Sequence, residues 1–464
     1  MMSFLLLAAS FAEFTASVND FFAFVVEHWR FCLLHFLEFA IWGAWFVVLG
    51  NLLNARGFAR KEIGRIYGTM PIGSMISPLI IGPLADKVFN TEILIGVSHL
   101  IGGVLLFMMA RARNARPFYW LAFLYALAFA PTLGLVNSIV FSHDQDIFNG
   151  AAGEGFPWIR VFGTLGWIAA GLSHALILKK DEPVNEKPLL LACGLSLILG
   201  VFAFSLPATP PAAVAAADTV EATDASPETV QLSDDLLEEA ESGEDAEDAP
   251  DATPAEQIGI IDGSLEMLTK YPVFFLVTFV AAMAMGLYFA FAALFLEKTG
   301  VRPNTVGPVM TIGQWIEIFF MLTLPWFLGP DNVYMKTVLL IGVVAWTVRF
   351  GLFAIGRPLP LVLVGVAIHG ICFDFFFAAG FINADLIAPE GLTATAQTLY
   401  GFLVYGLGMY LGSEGSGWLN QYFSKTEVKE DGTEEVVTNW RMFWGIPCAI
   451  IAVAAVMFWF TDAA

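Results

Sequence analysis

The sequence is poor in charged residues. Only 14% of its 464 residues are Asp, Glu, Lys or Arg, whereas ordinary soluble domains carry about 25%. Hydrophobic residues make up 57%, and apolar runs of about 20 residues recur from end to end, as in transmembrane helices. This composition excludes an ordinary soluble protein and predicts an all-α polytopic membrane protein.

The motifs of several protein classes are also missing. The four cysteines lie in apolar segments without a CxxC pair, so we expect neither disulfides nor a metal site. No GxxxxGK[ST] sequence is present, which argues against an ATP-driven pump. Because the apolar segments offer no nucleophile–base pair, we expect no catalytic residues and no cofactor. No basic patch indicates nucleic acid.

Negative charge is concentrated in one segment. Of the net charge of −21, residues 218–256 contribute 15 acidic side chains, and no Lys or Arg stands between Lys187 and Lys270. We expect residues 207–270 to form an acidic, disordered cytoplasmic linker that ends in a short amphipathic helix over 258–270. A regulatory role and a simple tether are both open.

The apolar runs divide into two groups of six. Residues 31–206 form the predicted N-terminal six-helix bundle and 271–464 the C-terminal one, while 1–30 form an interfacial helix or an extra span. The motif Gly134-Leu-Val-Asn137 in the fourth run is matched by Gly380-Phe-Ile-Asn383 in the tenth. Such parallel repeats predict a major-facilitator-type fold of 12 transmembrane helices, with its site between the halves. The predicted spans are 31–54, 64–85, 93–111, 118–141, 158–179, 188–206, 271–296, 304–328, 336–356, 359–381, 398–423 and 441–461.

One stretch combines a cation with an apolar run. Arg160, Thr164 and Trp167 are spaced i, i+4, i+7, so they share one helical face. An arginine at membrane depth costs about 2.5–3.5 kcal/mol on insertion scales. We therefore predict that this face lines a solute cavity.

A second polar pair lies in the eighth apolar run. Gln314 and Glu317 share a helical face, and a carboxyl group in a low-dielectric environment favours its neutral form. Glu317 is therefore predicted to exchange the coupling proton. The alternative is a structural carboxylate paired with Arg160 or Arg349.

The first apolar run carries a third candidate face. Glu38, Trp42 and Trp45 are spaced i, i+4, i+7, and aromatic rings suit stacking on a nucleobase, with Glu38 as a second candidate proton site. Packing between helices is an equally good interpretation of the tryptophans.

Several motifs together resemble a known family. They are Gly82-Pro-Leu-Ala-Asp-Lys87, Leu37-Glu-Phe-Ala-Ile-Trp-Gly-Ala-Trp45, Ala130-Pro-Thr-Leu-Gly-Leu-Val-Asn137, Ile159-Arg-Val-Phe-Gly-Thr-Leu-Gly166, Ala345-Trp-Thr-Val-Arg-Phe350 and Gly370-Ile-Cys-Phe-Asp-Phe375. This set resembles the nucleoside:proton symporter family of the major facilitator superfamily, which includes bacterial nucleoside and xanthosine permeases. The resemblance covers residues 31–206 and 258–462.

The resemblance implies twelve helices and proton-driven nucleoside uptake through a central cavity. It implies cavity roles for the residues already discussed on the fifth and eighth helices and for Phe373 on the tenth. His369 stands where the family has a tyrosine, and the family's amide side chains near Gly286–Phe289 are missing. His369 is predicted either to contact substrate or to carry a proton. Asp374 is a further proton candidate, or a structural partner of Arg349.

We therefore expect a secondary active transporter in the cell (inner) membrane that imports nucleosides by proton symport with alternating access. Its partners would be a nucleoside, a proton and the lipid bilayer, and we expect a monomer. Transport of sugars or other small polar solutes is the alternative in the same class. A membrane sensor that signals through the acidic linker is the alternative in another class.

Overall fold

Proline and glycine delimit many of the helices in this computed structural model. Pro272 and Pro303 open two long helices at the first turn, where their missing N–H is not needed. Gly329 ends the helix that Pro303 opens and Gly356 ends the next one, with φ of 73° and 70°, a backbone conformation that favours glycine. The structure describes residues 20–148, 152–211, 260–428 and 434–461.

Twelve long helical segments run through these described residues, and their order follows the twelve predicted spans. Short helices also occupy 20–27, Asp144–Phe148 and Ile260–Lys270. The long segments are α1 (Trp29–Ala55), α2 (Arg60–Tyr67 and Thr69–Lys87), α3 (Thr91–Arg111), α4 (Ala115–Phe141), α5 (Ala152–Ile177), α6 (Lys187–Ala203), α7 (Pro272–Lys298), α8 (Pro303–Leu328), α9 (Met335–Ile355), α10 (Leu359–Leu386), α11 (Thr393–Gly401, Phe402–Gly408 and Met409–Tyr422) and α12 (Trp440–Trp459).

The all-α membrane class is confirmed. Eight of the described helices are long and apolar enough to cross a membrane, and the bent helix α2 would make nine. The count of twelve spans and the four domain boundaries stay predictions. Residues 1–19 and 212–259, which hold most of the predicted N-terminal extension and of the acidic linker, lie outside the described residues.

Two wide turns interrupt the helices of the second half. The segment Phe373–Ala378 within α10 and the segment Phe402–Gly408 within α11 are π-helical. Turns of this kind often occur at functional sites. In the first half, α4 is interrupted instead at Ala130 and Pro131.

The two halves meet closely at one end, which we call the hairpin end because the antiparallel strands β1 (Ser424–Val428) and β2 (Glu434–Thr438) lie there. A Cβ added to Gly64 of α2 would lie 2.7 Å from the Gly417 nitrogen of α11, and one on Gly307 of α8 would lie 2.7 Å from the Gly171 carbonyl oxygen of α5. These glycines therefore allow backbone to approach backbone between the halves.

Polar contacts join the halves at the same end. Asn51 of α1 donates a hydrogen bond to Glu297 of α7 at 2.5 Å. Arg65 of α2 pairs with Glu414 of α11 at 3.3 Å. Because the Arg65 side chain is half exposed, this ion pair contributes little to stability. The hairpin end is thus held together mainly by close packing.

Candidate functional site

A row of aromatic rings crosses the boundary between the halves. Trp42 of α1 lies 5.4 Å from Trp167 of α5 between ring centroids. Trp167 lies 6.5 Å from Phe289 of α7, which lies 6.4 Å from His369 of α10. The structure therefore brings together three sequence-predicted residues, and it adds Phe289.

A glycine explains the approach of α1 to α5. A Cβ on Gly43 would lie 3.1 Å from the Trp167 Cα, so the missing side chain lets the two helices meet beside the Trp42 ring. The other tryptophan predicted for this face behaves differently. Trp45 packs edge-on against Tyr125 of α4 at 5.4 Å, inside the first half.

Arg160 lies on the first-half side of this region. Its guanidinium group stands over the Phe39 ring at 4.3 Å, and its buried Nη1 has no hydrogen-bond partner among the described residues. Arg160 interacts electrostatically with Glu317 and Tyr405. Thr164 follows one turn later and is buried. The predicted polar face of α5 thus has a donor available between the halves.

Tyr405 is a residue that sequence reasoning missed. It lies in the π-helical segment of α11, and no spacing in the sequence predicts such a turn. Its electrostatic interaction with both Arg160 and Glu317 places its hydroxyl near the same polar groups.

Helices α8 and α10 bring the remaining candidates together. Gly313 and Gly370 allow this contact, because a Cβ on Gly313 would lie 2.7 Å from the His369 Cβ and one on Gly370 would collide with the Glu317 backbone. As a result, His369 Nε2 lies 3.9 Å from Glu317 Oε2, which is too long for a hydrogen bond. Phe373 lies 6.0 Å from the His369 ring.

Several polar atoms near Glu317 and His369 lack hydrogen-bond partners in the part of the chain that the structure describes. Gln314 Oε1 is buried without a hydrogen-bond partner among the described residues, and the same is true of both carboxylate oxygens of Asp374. Asp374 interacts electrostatically with Glu317. Unpaired buried polar atoms are rare in proteins and need an explanation, and a ligand that supplies the missing partners is one.

Arg349 does not pair with Asp374. Its Nη1 donates to His369 Nδ1 at 2.9 Å instead, and its guanidinium carbon stands 3.5 Å from the centre of the Tyr288 ring. The expected pairing of Asp374 with Arg349 is therefore wrong, since the imidazole takes the cation's hydrogen bond. The structure also has no ion pair from Glu317 to Arg160 or Arg349 within 4.0 Å among the described residues.

Glu38 lies elsewhere, inside the first half. Its Oε2 is 2.8 Å from His99 Nε2, and its Oε1 accepts a hydrogen bond from Thr132 at 2.7 Å. His99 Nδ1 contacts Ser196 Oγ at 3.3 Å. The four residues come from α1, α3, α4 and α6, so the structure does not bring Glu38 to the aromatic row. The partner His99 had no sequence signal, since it is a single histidine in an apolar run.

Comparisons with known proteins give matches along most of the chain. A family model described as Nucleoside H+ symporter matches residues 26–228 and 264–462. YegT of Escherichia coli (strain K12) is 32% identical over 438 residues, which is 92% of each chain. Xanthosine permease of the same strain is 28% identical over 444 residues, 93% of this chain and 94% of the relative. A crystal structure of nucleoside transporter NupG aligns with a TM-score of 0.72 and 25% identity over 93% of this chain and 97% of that chain.

Proposed function

The chain belongs to the Nucleoside H+ symporter family, and on this premise we propose that it imports nucleosides with protons through a site between its halves. It is a multi-pass protein of the cell (inner) membrane whose transported partners are a nucleoside and a proton. Its fold is that of transporters that work by alternating access.

One observation carries the choice of site. Glu317, 9% exposed, has no hydrogen bond or ion pair closer than the 3.9 Å contact to His369 among the described residues, and it lies among the unpaired polar atoms of Gln314, Asp374 and Arg160. Ionisable groups at membrane depth are costly and mark transport pathways. The proposal gives Glu317 the coupling proton and lets Glu317 and its neighbours contact the nucleoside.

The row of rings is suited to the base. Trp42, Trp167 and Phe289 present aromatic edges and faces, and base–aromatic stacking contributes about 1–3 kcal/mol for each base. Arg160, Thr164 and Gln314 offer donors and acceptors beside the row, and Phe373 closes it next to His369. Stacking tolerates many bases, so this arrangement supports nucleosides as a class.

The experiment is uptake of labelled uridine and adenosine by cells that lack their own nucleoside carriers, with and without a protonophore. Wild type should accumulate nucleoside, and the protonophore should abolish accumulation. Glu317→Gln should bring nucleoside only to equilibrium, because it cannot exchange a proton. Glu266→Gln, a change at an exposed residue of the short helix Ile260–Lys270, is the matched control for expression.

Each contrary outcome points to a different function for this chain. Uptake by wild type that ignores the protonophore would mean facilitated diffusion and would remove the role of Glu317. If neither nucleoside enters although the protein is in the membrane, the substrate is a sugar or another polar solute, or the chain is a sensor.

A further inference from the structure

The hydrogen bond between Arg349 and His369 fixes where the imidazole carries its hydrogen. A guanidinium group has five N–H donors and no acceptor, so Arg349 Nη1 must be the donor to His369 Nδ1 over their 2.9 Å contact. Nδ1 therefore carries no hydrogen, and the hydrogen of the neutral ring lies on Nε2. This is the nitrogen that faces Glu317.

The surroundings of Arg349 keep it in this position. The guanidinium is fully buried and stands over Tyr288 at 3.5 Å. The His369 ring stacks on the same tyrosine, with 5.5 Å between centroids and 21° between planes. A cation over a desolvated aromatic face gains about 2 kcal/mol or more. One tyrosine of α7 thus orients both the arginine of α9 and the histidine of α10.

We propose that Arg349 is a positioning residue that fixes His369 as an Nε2–H donor beside the Glu317 acceptor, so that the two side chains together recognise a hydroxyl group of the substrate. The inference rests on the proposed transport function and deepens it. It also decides between the two roles open for His369, because a ring that accepts from Arg349 is a donor to substrate and not the proton carrier.

The geometry of the gap fits a hydroxyl group. Nε2 of His369 and Oε2 of Glu317 are 3.9 Å apart, so one oxygen atom can lie about 2.8 Å from both. A hydroxyl accepts from Nε2–H and donates to the carboxylate, whereas an ether or carbonyl oxygen has no hydrogen to donate. The 2′-, 3′- and 5′-hydroxyls of a nucleoside all meet this requirement, and the proposal assigns the gap to one of the two secondary hydroxyls of ribose.

This arrangement also separates binding from proton exchange. The charged or titratable groups that face His369 are Arg349 from α9, Tyr288 from α7 and Glu317 from α8. Asp374 follows on α10 and interacts electrostatically with Glu317. Protonation of Glu317 changes one of the two hydrogen bonds to the hydroxyl, while the bond from His369 stays.

The first test is direct and does not depend on transport. Histidine labelled with ¹⁵N is incorporated into the full chain, and the His369 signals are assigned by their loss in His369→Gln. We expect an unprotonated Nδ1 and a protonated Nε2 that stay unchanged between about pH 5 and about pH 8. A ring that gains a second proton in this range, or that carries its hydrogen on Nδ1, overturns the proposal.

The second test separates hydroxyl recognition from structure. Uptake of uridine is compared with uptake of dideoxyuridine, which lacks both secondary ribose hydroxyls. His369→Phe should raise the KM for uridine by up to about tenfold, as expected for the loss of one hydrogen bond between neutral groups, with little change for dideoxyuridine. His369→Tyr should restore the preference for uridine, because its O–H also donates.

The outcomes separate a failure of the hydroxyl-recognition proposal from a failure of the transport function. If His369→Phe weakens uptake of both nucleosides equally, His369 has only a structural role and the inference fails while the transport function stands. If wild type takes up neither nucleoside, the proposed function fails, and the ¹⁵N measurement alone decides whether Arg349 fixes the ring.

Discussion

The described residues contain two buried carboxylate–histidine pairs, one in each half, and the distance within the pair differs between them. Glu38 and His99 are 2.8 Å apart, whereas Glu317 and His369 are 3.9 Å apart. The first pair is a hydrogen bond. The second is a gap that a ligand atom can enter.

The two pairs also differ in how their own polar atoms are satisfied. Every side-chain polar atom of Glu38 and His99 has a partner, supplied by Thr132 and Ser196 or by each other. Around Glu317, by contrast, atoms of Gln314, Asp374 and Arg160 lack partners among the described residues. Burial alone therefore does not mark a transport site. The two pairs themselves differ, because the Glu38 carboxylate is satisfied and the Glu317 carboxylate has no hydrogen bond in the described part of the chain. Unpaired neighbours occur near both, since the Tyr125 hydroxyl, which interacts electrostatically with Glu38, also has no hydrogen-bond partner there.

The largest effect on stability is expected from breaking the closed pair. Glu38→Leu leaves His99 and Thr132 buried without their partner, so the free energy of unfolding should fall by about 3 kcal/mol. Glu317→Leu should lower it by less than about 1 kcal/mol, since no hydrogen bond is lost. Denaturant unfolding in detergent micelles measures both. The role of Glu38 as a second proton site stays a prediction. It would be supported by a Glu38→Leu protein that remains stable but has lost proton coupling.

An intermediate effect is expected from forcing the open pair apart. Gly370→Ala puts a methyl group against the Glu317 backbone, and overpacking of this kind costs about 1–3 kcal/mol. The gap between Glu317 and His369 should widen, and the KM for uridine should rise about tenfold or more. Gly134→Ala is the matched control, because no atom lies within 4 Å of its added Cβ. Equal effects of the two changes would point to helix flexibility as the cause.

The smallest effects are expected from changes to one neighbour of each pair, which should alter either protein stability or the KM but not both. Ser196→Ala removes the hydrogen bond to His99, so we expect a loss of about 1 kcal/mol of stability and an unchanged KM. Gln314→Met removes an oxygen that has no partner in the described part of the chain, so it should raise the KM and leave stability unchanged. Thermal unfolding and uptake assays on the same two variants check this. If Ser196→Ala raised the KM while Gln314→Met lowered stability, the Glu38 pair would be the binding pair and the Glu317 pair the structural one.

The sequence predicted which residues share a helical face better than it predicted what each face meets. The spacing of Arg160 and Trp167, and of Gln314 and Glu317, is fixed by the helical period, and the structure brings these faces to the boundary between the halves. Glu38 and Trp42 share a face by the same rule, yet Glu38 bonds to His99, which lies 61 positions away in the chain. Such partners depend on how helices pack, and no local pattern carries that information.

The same limit explains the error at Asp374. Opposite charges in neighbouring apolar runs make a pair with Arg349 reasonable, but the glycines at 313 and 370 bring α8 close to α10 and leave His369 next to the arginine. Tyr405 was missed because the π-helical segment around it changes the residues that face inward. Close helix approach and irregular turns are tertiary properties.

The interruptions of α4 and α10 fall at matching positions of the predicted sequence repeat. The matched motifs align Gly134 with Gly380, and counting back three residues in each places Pro131 opposite Phe377. Pro131 lies in the break of α4, and Phe377 lies in the π-helical segment of α10. One copy interrupts its fourth helix with an imino acid and the other with an extra residue in a turn. The matched position is therefore irregular in both halves, although the residue type there differs.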